Sequence, residues 1–189
     1  AGHNDAAMQK AAEMHRQIDP LLTVERVAGI SLLDASAITL QLPGNDSAIT
    51  RTLEQHPEIV QRIISGENYV SSIVASAAPL PNKNGTVEPG QPTMFAASQV
   101  LNASGIRVGT IILRLRPVLL LDVVLQGQRM DQSDDAFAYR SDGVAVTSTR
   151  FDNQLQSIGV LPAGSSATMR LRLSDPGGNL IRGFHPTAD

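Results

Sequence analysis

The sequence predicts an α+β fold built on antiparallel sheets, and three observations predict it. Stretches with helical spacing of apolar residues are interleaved with stretches that alternate apolar and polar along the chain. Two pairs of alternating runs flank tight-turn signals, Asn102-Ala103-Ser104-Gly105 and Ser141-Asp142-Gly143. The order helix–β–β–helix–β–β–β over residues 1–116 is followed by helix–hairpin–helix–strand over residues 117–189. The second unit thus repeats the start of the first and lacks its closing strands.

The first segment, AGHNDAAMQKAAEMHRQID, is rich in good helix formers, and Met8, Ala11, Ala12, His15 and Ile18 recur at three- and four-residue spacing. Asp19-Pro20 interrupts it and opens a short helical piece to about Arg26. VAGISLLDASAITLQL reads as strand–turn–strand about Asp34-Ala35-Ser36. GNDSAITRTLEQHPEIVQRIISGE returns to helical spacing, with Ile59, Val60, Ile63 and Ile64 as a buried stripe and Gly66 as the stop. YVSSIVAS is a strand, 79–92 a Pro/Gly/Asn-rich loop, and TMFAASQV the strand that enters the hairpin. In its second arm Ile106 and Val108 face one way, while Ile111, Leu113 and Leu115 face the other. Gly109 marks the change of parity, and Arg114 and Arg116 take the polar side, toward solvent or a neighbouring domain.

In the second unit, Val118 to about Arg129 is an apolar helix and DQSDD a polar turn. The hairpin AFAYRSDGVAVTSTRF leads to a short helix capped by Asp152, then to ATMRLRLSD, which alternates as a strand. The tail PGGNLIRGFHPTAD is loop-like.

Composition narrows the function. The chain has 189 residues, 42% hydrophobic and 17% charged, which suits a globular domain with a real core. A net charge of −3, with 13 Arg and two Lys scattered along the chain and few aromatics between them, argues against nucleic acid as a partner. Cysteine is absent, which removes disulfides, thiolate metal sites and cysteine nucleophiles. His3, His15, His56 and His185 lie too far apart for a metal motif, so no cofactor is expected. Ser36, Ser71 and Ser98 lack a nucleophile elbow, and the DQSDD acids lack the glycine and terminal glutamate of a calcium loop. No run reaches a membrane span, because Arg114, Arg116 and Asp122 cut the best one.

A small-molecule site is expected on a concave sheet face. Tyr69 opens the third strand, Met94 and Ser98 share a face of the fourth, and Arg62 is the nearest cation for a ligand anion; the alternatives are that these residues pack under the helices and that Arg62 is a surface residue.

These residues also carry a resemblance. GQPTMFAASQVLNASGIRVGTIILRLRP is similar to the closing strands of the membrane-distal module of the double-Cache, or tandem PAS-like, sensor domains of bacterial membrane receptors. AFAYRSDGVAVTSTRFDNQLQSIGVL resembles the opening hairpin of their proximal module, with Tyr139, Gly143 and Thr149-Arg150-Phe151 in the corresponding places. The resemblance implies a long N-terminal helix and two PAS-like modules in tandem, residues 1–116 distal and 117–189 proximal, the second incomplete. It also implies the extracytoplasmic, periplasmic part of an inner-membrane signalling protein such as a serine/threonine kinase or cyclase. Its membrane spans would lie outside this region, and a homodimer would form through the N-terminal helix. The family's aromatic amino-acid clamp is not matched, since the chain has no tryptophan. The expected function is non-catalytic binding of a small molecule; the alternatives are a dimerisation module that binds no ligand, or a small α+β enzyme.

Overall fold

The structure, a computed structural model, describes residues 26–36, 47–82, 85–126 and 136–174, together with Glu13, Arg16, Pro20, Gly177 and Gly183. Most of the N-terminal helix, the second arm of the strand–turn–strand, DQSDD and most of the C-terminal tail lie outside the described residues. Glu13 and Arg16 are helical and form an ion pair at 2.7 Å.

The protein is α+β with antiparallel sheets. It divides into two compact units, Ala1–Val123 and Val124–Asp189.

In the first unit the elements are β1 (Val27–Asp34), α1 (Ser47–Leu53), α2 (Pro57–Ile64), β2 (Tyr69–Val70), β3 (Val74–Ala75), β4 (Leu80–Pro81), β5 (Val87–Glu88), β6 (Pro92–Leu101) and β7 (Arg107–Leu115). The helix α3 (Pro117–Gln126) follows. The sheet runs β1–β7–β6–β2, with β3 also on β6, and every pairing is antiparallel. The first strand therefore lies beside the last, and both helices fall within the crossover between them.

α2 forms because its apolar residues sit at helical spacing between good terminal signals. Pro57 occupies the first turn, where its missing N–H costs nothing, and Gly66 follows with φ 83. Ile59 and Ile63, one turn apart, are each 1% exposed. They meet Ile49 and Leu53 of α1, and Val74, Phe95, Ala97 and Ile112 of the sheet, in one core cluster. Each Val, Leu, Ile or Phe side chain among them contributes about 1.5–3 kcal/mol on burial.

β6 and β7 form the predicted hairpin, in register from Met94↔Leu115 to Val100↔Gly109. Asn102 holds the turn: its Oδ1 accepts the N–H of Ser104 and of Ile106, both at 2.9 Å. β7 alternates from Gly109 onward, but its register with β6 shifts at Val108, between Val100↔Gly109 and Leu101↔Arg107, so the parity does change beside this glycine. Gly109 faces no open space: a Cβ there would lie 2.5 Å from the Leu33 carbonyl oxygen on β1. Arg114 does not face solvent. It is 3% exposed on the helix-covered face, and its guanidinium donates to Ser76 Oγ and to the Ala78 carbonyl, the latter at 3.1 Å. Alternation placed it opposite Leu113 and Leu115, but that opposite face carries the core.

The expected strand YVSSIVAS is split. Tyr69 and Val70 pair with Ala97 and Ala96, whereas Val74 and Ala75 pair with Thr93 and Pro92, so one extra residue is taken up between them. Ser71 bridges the break: its N–H donates to the Phe95 carbonyl at 2.8 Å, and its hydroxyl accepts the Phe95 N–H at 2.9 Å. The loop at 79–92 contains the small β4–β5 hairpin.

In the second unit, isolated bridges join Tyr139 to Ala145 and Val144 to Arg172 around the predicted turn, where Gly143 has φ 85. The helix α4 (Asp152–Ser157) follows. Asp152 is its first residue rather than its cap, and its Oδ1 accepts the Ala167 N–H at 3.0 Å, holding a distant loop. ATMRLRLSD is not a strand: Met169 has φ 56, and the N–H groups of Arg170 and Leu171 both turn back to the Ala167 carbonyl.

Candidate functional site

The helix-covered face of the sheet does not pack completely. Between α1, α2 and the β1–β7 half lies a cavity of ≈ 430 Å³. β1 contributes Ser31 and Leu33, and β7 contributes Ile112. The cross-strand registers Ser31↔Ile112 and Leu33↔Thr110 aim these side chains at the helices. Ile49 and Leu53 of α1 and Val60 and Ile63 of α2 complete the apolar wall, with Ile64, 45% exposed, at the rim. The polar lining is sparse: Ser31, Thr50, Glu54 and Gln61. Among the described lining residues Glu54, which is exposed, is the one with an ionisable side chain. A largely apolar hollow with a few polar groups is the usual lining of a small-molecule pocket.

Arg107 ties this cavity to the hairpin. Its guanidinium donates to the Ile64 carbonyl at the end of α2, at 3.0 Å, and to Thr110 Oγ1 at 2.9 Å. A cation there also meets the negative end of the helix dipole.

The four residues expected to form a site are not gathered together. Arg62 lies on α2 with its guanidinium 5.3 Å over the Tyr69 ring and 3.3 Å from Glu67, both partners of that ion pair being largely exposed. Met94 and Ser98 share the face opposite Phe95 and Ala97, so the sheet stands between them and Arg62. Ser98 donates to Asn68 Oδ1 at 2.9 Å. A recess of ≈ 210 Å³ includes Tyr69 and Ser98 in its lining; neither Arg62 nor Met94 is among the lining residues. Sequence reading saw the Ile59–Ile64 stripe as core. Its signal for a cavity was that four aliphatics on an eight-residue helix exceed what one buried face holds, and Val60 and Ile64 are the surplus.

In the second unit, partial dehydration pushes the Asp142 carboxyl up. The Val144 N–H at 3.3 Å and the Arg140 guanidinium at 2.7 Å outweigh it and hold the group below its ordinary 3.8. His56 Nδ1 lies 3.2 Å from Glu58 Oε1, a local pair at the start of α2. Among the described residues no three His, Asp or Glu side chains gather as a metal site would require, and no helix is long and apolar enough to cross a membrane. No protein-family model matches the chain, and no curated protein matches it in sequence.

Proposed function

We propose that this chain is a ligand-sensing region of the double-Cache kind, the extracytoplasmic part of a membrane-bound signal-transduction protein. In this reading a long N-terminal helix leads two PAS-like modules in tandem, and any catalytic output lies elsewhere in the parent protein. The observation that carries the proposal is the cavity of ≈ 430 Å³ held between a helix pair and the first and last strands of one sheet. The strand order supports it, since a PAS-like module also sets its first strand beside its last.

The connections suit a transmitter. A molecule in the cavity touches α1, α2, β1 and β7 at once. Arg107 links the end of α2 to β7, and β7 passes through Arg116 directly into α3, while the Arg116 N–H is fixed to the Arg26 carbonyl at 2.8 Å. A ligand that favours one arrangement of α2 against β7 shifts the population of α3 positions by its differential affinity.

The test is a thermal-shift screen of small molecules, followed by hydrogen exchange on the 189-residue chain. Ligands should raise the melting temperature and slow exchange over residues 57–64 and 107–126. A competing role as a dimerisation module that binds no ligand predicts no such compound and a melting temperature that rises with protein concentration.

A further inference from the structure

The lining of the α1–α2 cavity specifies what it can hold. This step rests on the ligand-binding role proposed above. We infer that the cavity takes an uncharged, mainly apolar small molecule with a single hydrogen-bonding head, of the medium-chain alcohol or amide class, and that it rejects organic anions.

Three features lead there. The walls are aliphatic, from Leu33, Ile49, Leu53, Val60, Ile63 and Ile112, and ≈ 430 Å³ falls within the roughly 300–1,000 Å³ of small-molecule sites. Such a hollow offers water too few partners to be filled well by it. Inside it, Ser31 is 2% exposed, and its hydroxyl makes no hydrogen bond among the described residues; one head group can satisfy it. The ionisable side chain among the described lining residues is the carboxylate of Glu54, and no arginine or lysine is among them. Arg62 is engaged with Glu67 and Tyr69, and Arg107 with Ile64 and Thr110. A carboxylate ligand would lose its hydration and meet a like charge.

The test uses pyrene, an uncharged fluorophore without hydrogen-bonding groups whose emission bands report an apolar surrounding, and its displacement from the full chain. 1-Hexanol, 1-heptanol and 1-octanol should displace it with affinity rising about fourfold per methylene. Octanoate should bind at least roughly tenfold more weakly than 1-octanol, and Glu54→Gln should narrow that gap. Ser31→Ala should weaken 1-octanol by roughly twofold to tenfold and leave pyrene unchanged. Val60→Trp and Thr50→Trp, which fill the cavity from α2 and from α1, should each abolish displacement while the far-ultraviolet dichroism stays native.

The outcomes separate the two levels. Octanoate binding as tightly as 1-octanol overturns the ligand class and leaves the cavity as a binding site. Unchanged pyrene and alcohol binding in both folded tryptophan variants places the ligand elsewhere and overturns the inference. If neither pyrene nor any alcohol binds the wild-type chain, the ligand-binding role of this cavity fails with it.

Discussion

Replacing Gly109 by alanine pits two effects of opposite sign against each other. Glycine inside a strand is ordinarily a weakness, and alanine there stabilises by about 0.5–1 kcal/mol through the lower entropy of the unfolded chain. At this position the added Cβ would lie 2.5 Å from the Leu33 carbonyl oxygen, where ordinary contact begins at 3.4 Å. The obstacle is backbone on a strand paired along its whole length with β7, so it cannot swing aside as a side-chain tip can. Parting the strands by nearly an ångström is overpacking, which costs about 1–3 kcal/mol. The clash wins, and the expected net loss is about 1–2 kcal/mol, a fall of roughly 2–8 °C in melting temperature for a unit of this size. Urea unfolding followed by circular dichroism measures it. Because Leu33 also lines the cavity, the same variant should bind the cavity's ligand more weakly. A Gly109→Ala protein as stable as the parent, or more so, would refute the close approach of β1 and β7.

Two further substitutions separate a buried from an exposed hydrogen bond. Ser71→Ala leaves the Phe95 N–H without its 2.9 Å partner in the core and should cost about 1–3 kcal/mol, whereas Arg62→Ala, whose ion pair is largely exposed, should cost no more than about 1 kcal/mol. Equal losses in chemical denaturation would contradict the placement of one or the other. The second unit should be acid-sensitive at its turn. Asp142 is held below 3.8 in the folded protein, so its contribution is present above that value and is lost as pH falls through the lower folded one. Carbon-13 titration of the Asp142 carboxyl should show the depressed midpoint, and Arg140→Gln should move it back up.

Where local chemistry and tertiary need agree, the elements could be read from the residues alone. The β6–β7 hairpin alternates on both arms and has an asparagine and a glycine at the turn, and α2 has Pro57 before its stripe and Gly66 after it. The failures lie where a distant partner decides. ATMRLRLSD alternates cleanly, yet Ala167 is held by Asp152 and the chain turns at Met169. Alternation puts Arg114 on a polar side, toward solvent or a neighbouring domain; its place is set by Ser76 and Ala78, far back in the sequence. The candidate site shows the same division. Parity alone put Met94 and Ser98 opposite Phe95, but which face α1 and α2 would cover was not written in the strand. The cavity is a gap between elements: the surplus aliphatics Val60 and Ile64 on α2 hint at it, but only assembled packing displays its walls.

The break at Ser71 also bears on solubility. β2 and β3 flank β6 as two-residue pieces offset by one residue, at the outer side of the sheet among the described residues. A straight, continuous strand there would offer a row of free N–H and C=O groups to any other chain, the usual start of edge-to-edge aggregation. The offset interrupts that row after two residues and twists what remains, so an incoming strand cannot keep register across it. Val70, 60% exposed at this margin, then sits on a two-residue piece rather than on a continuous apolar ribbon.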